Sequence, residues 1–217
     1  MSATNEPAQP LRLYRAAISG HSHRAELLLS LLRLPYELID VDLLAGAHKR
    51  AEFLQLNAFG QVPVLEDGDV VVPDSNAILV YLATRYAPAS WYPANAMQRA
   101  AVQRWLSVAA GQLAHGAAAA RIAVLFKSPA DTSDMIKRAH ALLALMEREL
   151  DTRPFLAALH VTIADLANYT YTAYAPEGDV SLDAYHNVRA WLARVEALPG
   201  FVPMVKSNVG LRAADSA

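Results

Sequence analysis

Residues Asn57 to Ser75, NAFGQVPVLEDGDVVVPDS, decide the reading of this chain. Proline has no N–H and pushes the residue before it toward extended geometry, so Val62-Pro63 predicts an extended entry into a strand. Val64-Leu65 runs apolar into Glu66-Asp67-Gly68-Asp69, a turn signal, and Val70-Val71-Val72 answers as the second strand of a hairpin. Asp74 and Ser75 are good helix N-caps, and Ile78, Leu79, Tyr81 and Leu82 follow at helical spacing. The predicted order is strand, tight turn, strand, helix. Such a stretch offers backbone groups beside Val62 and N–H groups at the helix start near Ser75. Both suit a small peptide bearing a carboxylate.

Upstream, Leu11-Arg12-Leu13-Tyr14 alternates as a first strand. A polar break, Ser19-Gly20-His21-Ser22-His23, precedes a leucine-rich helix from Arg24 to Arg33, and Pro35 ends it before a second strand, Tyr36 to Val41. Strand, helix, strand at this spacing implies a right-handed parallel crossover. Leu43 to Asn57 holds a short helix with Phe53, Leu54 and Leu56 as its apolar contacts. The order β-α-β-α-β-β-α is thioredoxin-like and occupies residues 10–86, after an N-terminal tail, 1–9, expected to be loose. Downstream, 87–95 is a proline-bearing linker, and strand signals then stop. Helices are predicted over Met97–Phe126, Asp131–Leu150 and Asp183–Leu198, in an all-helical second domain covering 96–217. Thr162 and Asp165 have capping-box spacing, with Val161 and Leu166 placed for a hydrophobic staple. Asp165 is expected to support stability by about 1 kcal/mol or more and to take no part in chemistry.

With 217 residues, 54% of them hydrophobic, the chain is long enough to bury a sizeable core. A net charge of −2 gives no reason to expect a nucleic acid or an anionic membrane surface. The uncharged run from Trp105 to Ala120 is shorter than the ~20 residues of a spanning helix, so no membrane partner is expected. The absence of cysteine excludes disulfides, a CxxC redox site and thiolate metal ligands. His21 and His23 alternate in a loop without a third ligand, so no metal is expected either. Any thiol chemistry must use a thiol carried by a ligand, and the expected address is cytoplasmic.

Gln61-Val62-Pro63 followed by Asp74-Ser75 resembles the glutathione-binding half of the cytosolic glutathione transferase family, and in particular its serine-type bacterial members with a zeta/phi/theta-like N-terminal motif. The likeness extends through Trp91-Tyr92-Pro93 and Ala164-Asp165-Leu166 to Leu198-Pro199-Gly200-Phe201. It implies that Pro63 is cis and that the Val62 backbone pairs with the cysteinyl part of glutathione. His48, Lys49 and Gln61 would face the glycyl carboxylate. Ser75 would hold the γ-glutamyl carboxylate, and Asp74 the ammonium. Two departures stand out: Ala58 replaces the family's usual proline, and Asp74 its usual glutamate or glutamine.

The resemblance also implies activation of the thiol. A free thiol titrates near ~8.5, and a hydrogen bond to a charged partner, about 1.5–3 kcal/mol, lowers that by roughly one to two units. Ser19 stands where such members carry the activating hydroxyl; Ser22 and Tyr14 are the alternatives. His115 and Arg121 on the long helix are candidates for the second-substrate pocket, and Tyr169, Tyr171 and Tyr174 for core and interface. The function implied is a detoxifying, homodimeric glutathione S-transferase acting on a small, mostly apolar electrophile. A glutathione-dependent disulfide or peroxide reductase and a non-catalytic glutathione-binding module are the alternatives.

Overall fold

A computed structural model describes residues 6–210; residues 1–5 of the expected tail and 211–217 of the expected second domain lie outside them. Four strands, β1 (Leu11–Arg15), β2 (Tyr36–Asp40), β3 (Val64–Asp67) and β4 (Val70–Pro73), form one sheet in the order β2-β1-β3-β4. β1 and β2 run parallel, while β1–β3 and β3–β4 are antiparallel. The hairpin turn is clasped by its own first residue: the Asp67 carboxylate accepts the hydroxyls of Tyr81, at 2.7 Å, and Tyr86. Helices α1 (Gly20–Leu31), α2 (Ala51–Leu56) and α3 (Ser75–Arg85) complete the first domain, with a single 3-10 turn at Ala47–Lys49 before α2.

Helix α1 starts four residues earlier than the polar stretch suggests. Its N-cap is Ser19, whose Oγ accepts the Ser22 N–H at 3.3 Å. The polar first turn is affordable in the interior because each group finds a partner. Ser22 Oγ accepts the Ala16 N–H at 3.2 Å, and the His23 ring meets Thr170 Oγ1 and the Val202 carbonyl, both at 2.8 Å.

Among the described residues the second domain contains helices joined by loops, and no strand. Helix α4 (Ala96–Val108) passes into a π-helical stretch, Ala109–Ala118, and continues as α5 (Ala119–Leu125), forming one 30-residue helix. That helix is long and apolar enough to cross a membrane by length and composition. In this fold it packs instead against α6 (Ser133–Glu149) and α7 (Ile163–Ala173), burying Val102, Trp105, Leu106, Leu113 and Ala120. The predicted capping box opens α7: Thr162 Oγ1 accepts the Ala164 N–H, and Asp165 Oδ2 accepts the Thr162 N–H at 2.9 Å. A short 3-10 turn, Ala175–Gly178, follows α7. Helix α8 (His186–Glu196) begins at His186 rather than Asp183, with its free N–H groups at Asn187 and Val188 capped by the Glu147 carboxylate of α6, at 2.8 and 3.0 Å. One core runs through both domains, from Leu13 and Leu65 of the sheet, through Leu28 and Leu79, to Trp105, Leu166 and Trp191.

Candidate functional site

Between the domains lies a cleft of about 640 Å³. Its floor is the β3 end of the first domain. The Val62–Pro63 peptide is cis, and ladder pairing to β1 and β4 begins only at Val64, so the Val62 backbone lies beyond the ladder. The loop before it is held by side chains. Asn57 is buried, its Nδ2 donating to the Gln61 carbonyl at 2.8 Å and its Oδ1 accepting the Phe59 N–H at 3.1 Å. These bonds secure the turn that Ala58, in place of proline, would otherwise leave loose. Gly60 has φ +58, and a Cβ there would come within 2.7 Å of the His48 carbonyl, so only glycine fits.

One wall carries the basic pair and the start of α3. His48 lines the cleft, and its Nδ1 is buried without a hydrogen-bond partner among the described residues. The Lys49 ammonium donates to the carbonyls of Phe59 and Gly60, at 3.2 and 3.1 Å. Two of its three protons therefore brace the loop, which leaves one for a ligand. Gln61 is exposed at the rim. Asp74 takes φ +76, a conformation side chains seldom adopt, and its Oδ1 accepts the N–H groups of Asn76 and Ala77, both at 2.9 Å. Ser75 is buried behind it at the helix N-terminus.

The opposite wall is the start of α1 against α7. Gly20 lets the Tyr171 ring approach so closely that a Cβ would sit 2.8 Å from it. His21, missed by sequence reasoning except as a metal ligand, stands edge-on to Tyr171 at 5.0 Å, with Nδ1 3.4 Å from Ser75 Oγ. Burial, then the nearby Arg24 charge, lowers its pKa to about 3, so it is neutral at physiological pH. Arg24 is wholly buried behind Ser75, donating to Asn76 Oδ1 at 3.0 Å, and burial pushes its pKa down to about 10. In the sequence, Arg24 reads only as the first residue of a helix.

The three candidate hydroxyls separate clearly. Ser19 lines the cleft; its Oγ accepts an N–H from Ser22, so its own proton is free to be donated. Ser22 is buried 1% exposed and faces Ala16. Tyr14 donates to the Glu66 carboxylate at 3.0 Å and packs on Phe53; burial, then Glu66, raises its pKa. Neither Ser22 nor Tyr14 lines the cleft.

Ile18, Leu43, Ile122, Leu125 and Phe126 form an apolar mouth beside Ser19. The structure does not bring His115 there. It is exposed in a separate groove with Arg104 and Arg138. His115 and Arg121 are six residues apart, roughly one and two-thirds turns, so a regular helix already points them in different directions. Arg121 does reach the cleft, but its charge is paired, and its Nη2 is buried without a hydrogen-bond partner among the described residues. Its Nε meets Glu177 at 2.7 Å with both side chains buried, and its Nη1 donates to the Ile18 carbonyl at 2.8 Å, fixing the loop just before Ser19. Tyr169, Tyr171 and Tyr174 are all buried, and Tyr171 also lines the cleft.

A thioredoxin-like domain docked on a helical bundle, with a cleft between them, defines a two-domain architecture. Comparisons with known proteins specify the family. A glutathione S-transferase N-terminal domain matches residues 9–84, and a glutathione S-transferase C-terminal domain matches residues 117–199. Human glutathione S-transferase theta-2 is 33% identical over 201 residues, covering 88% of this chain and 82% of that protein. The crystal structure of a glutathione S-transferase from Pseudomonas fluorescens superposes with a TM-score of 0.85 at 33% identity, covering 91% of this chain and 100% of the other. A glutathione transferase homologue from Drosophila mojavensis, solved with bound glutathione, superposes at 0.78 with 27% identity, covering 88% and 89%. The chain belongs to the glutathione S-transferase family.

Proposed function

We propose that this protein is a serine-type glutathione transferase that binds glutathione in the interdomain cleft and presents its sulfur, as thiolate, to an uncharged apolar electrophile. The observation that carries the reading is Ser19: it is the one of the three candidate hydroxyls that lines the cleft, and its proton is not committed to a protein acceptor. Around it the expected ligand groups converge. His48 and Lys49 offer donors to the glycyl carboxylate. The Val62 backbone lies open toward the cysteinyl part. Ser75, at the positive end of α3, takes the γ-glutamyl carboxylate, with Asp74 beside the ammonium. The Ser19 hydroxyl and the first N–H groups of α1 favour the charged form of a sulfur placed there.

The electrophile would pack against Ile18, Leu43, Ile122, Leu125 and Phe126, where no uncommitted charge stands. A cytoplasmic homodimer is part of the same proposal. The test is the ultraviolet absorbance of bound glutathione thiolate against pH, in the parent and in Ser19→Ala. The parent should show thiolate well below the free thiol's pKa; Ser19→Ala should raise that pKa by about one to two units and lower kcat/KM toward an aryl halide by roughly 10- to 100-fold. Equal, low titration in both would remove Ser19 from the mechanism. Failure of the parent to bind glutathione would overturn the proposal altogether.

A further inference from the structure

Where the start of α1 meets the start of α3, a directed chain of hydrogen-bonding groups ends at the cleft. It begins at Arg24, fully buried, with Nε and Nη2 lacking partners among the described residues and Nη1 3.5 Å from Ser75 Oγ. A guanidinium has donors only, so Ser75 Oγ is the acceptor in that contact. Ser75 then has one proton to place, and His21 Nδ1, 3.4 Å away, is a ring nitrogen able to take it. A neutral imidazole that accepts at Nδ1 carries its hydrogen on Nε2. With the Ser75 hydroxyl donating to His21 Nδ1, the order is Arg24 N–H to Ser75 Oγ–H to His21 Nδ1, which leaves the Ser75 backbone N–H for the carboxylate and Nε2–H on a ring that lines the cleft.

Three features hold the ring in this role. Tyr171 meets it edge-on at 5.0 Å, and the glycine at position 20 is what allows Tyr171 so close to the start of α1. The buried Arg24 charge polarises the chain in one direction, each bond reinforcing the next. Burial and the same charge hold the imidazole neutral, with its pKa lowered to about 3, which rules it out as a base for the thiol and leaves it a donor. The charged groups near it are Arg24 behind Ser75 and Asp74 before it. A donor beside Ser75, at the positive end of α3 and in front of the buried Arg24 charge, suits an anionic oxygen.

Resting on the reading of the cleft as a glutathione site, we infer that His21 is a glutathione-positioning residue whose Nε2–H donates to the γ-glutamyl carboxylate held at Ser75. It thereby selects thiols that carry the γ-glutamyl group over those that lack it. Ser19 serves the sulfur; His21 serves the far end of the tripeptide.

The experiment compares kcat/KM for glutathione and for cysteinylglycine, which lacks the γ-glutamyl group, with one aryl halide as electrophile. His21→Phe keeps a ring against Tyr171 and removes both nitrogens. It should lower the ratio of the two values about tenfold or more, the worth of a hydrogen bond to a charged group. His21→Gln, which can accept from Ser75 and donate onward, should restore most of the ratio. The pKa of bound thiol, read by thiolate absorbance, should follow Ser19 and not His21. An unchanged ratio in His21→Phe, with the parent active, overturns this inference and leaves the wider reading intact. A shift in thiol pKa at constant ratio would place the contact on sulfur and overturn it as well. A parent that turns over neither thiol removes the glutathione site and this inference with it.

Discussion

At the scale of single residues, Asp74 combines two opposed effects. Its φ of +76 places a side chain in a conformation worth about 1–3 kcal/mol of strain, while its carboxylate caps α3 through Asn76 and Ala77. Asp74→Gly should relieve the strain and lose only a few tenths of a kcal/mol of capping, because glycine is itself a tolerable N-cap. Asp74→Ala keeps the strain and loses the cap, at about 1 kcal/mol. Thermal unfolding should therefore rank glycine above alanine by roughly 2–4 °C per kcal/mol, with glycine at or above the parent. Both variants should bind glutathione more weakly if the carboxylate meets the ammonium, so the stabler variant would be the poorer binder. An alanine variant as stable as the glycine variant would show that the backbone there is unstrained. The Asp-Ser pair was legible as a cap from its place before Ile78 and Leu79. The positive φ was not, because it is imposed by the closure of β4 onto α3 rather than by local preference.

At the scale of elements, the start of α7 was the best-read feature after the hairpin, since a capping box is a local signal of fixed spacing. Its tertiary load was hidden. Asp165 accepts from Leu156 N at 2.9 Å and Trp191 Nε1 at 3.0 Å as well as from Thr162, so one buried carboxylate joins α7, the loop before it and α8. Asp165→Asn replaces one acceptor with an NH2 that must face an N–H donor. At 1–3 kcal/mol for each buried group left unsatisfied, the variant should lose at least 2 kcal/mol, seen as a fall in melting temperature of about 4–8 °C. Activity per folded molecule should not change; a lower kcat with an unchanged melting point would contradict the structural role. Helix α1 shows the converse. Its polar first turn, Gly20 to His23, reads as loop because its partners Thr170 and Val202 lie far along the chain. The π-helical stretch at Ala109–Ala118 is likewise invisible to a count of apolar spacing. It lies where the reading assumed a regular helix carrying His115 and Arg121.

At the scale of the whole molecule, the two domains share one core, and His23 is the polar joint within it. The Val202 carbonyl can only accept, so His23 Nε2 carries the hydrogen and Nδ1 accepts from Thr170 Oγ1–H. With its pKa lowered well below 7 the ring is neutral at that pH, and it ties α1 to α7 and to the chain beyond α8. Burial is the main cause that lowers its pKa to about 4, offset in part by the Val202 carbonyl and reinforced by Arg15 and Arg24. The unfolded chain binds a proton near ~6.5, so between that pH and about 4 the unfolded state holds more protons than the folded one. Stability from this group is therefore full above pH ~6.5 and lost as pH falls, amounting to roughly 3 kcal/mol by pH 4. His21, lowered for the same reasons, acts in the same direction. Carboxylates also titrate in this range, so the informative quantity is the difference between the parent and His23→Gln. At pH 7 the variant should be the less stable by denaturant unfolding, having lost a well-made joint. As pH falls to 4 the gap should close, because only the parent forfeits stability at this position. Parallel losses in the two proteins would show that the joint tolerates a charged ring and that its neutrality has no bearing on how the domains stay docked.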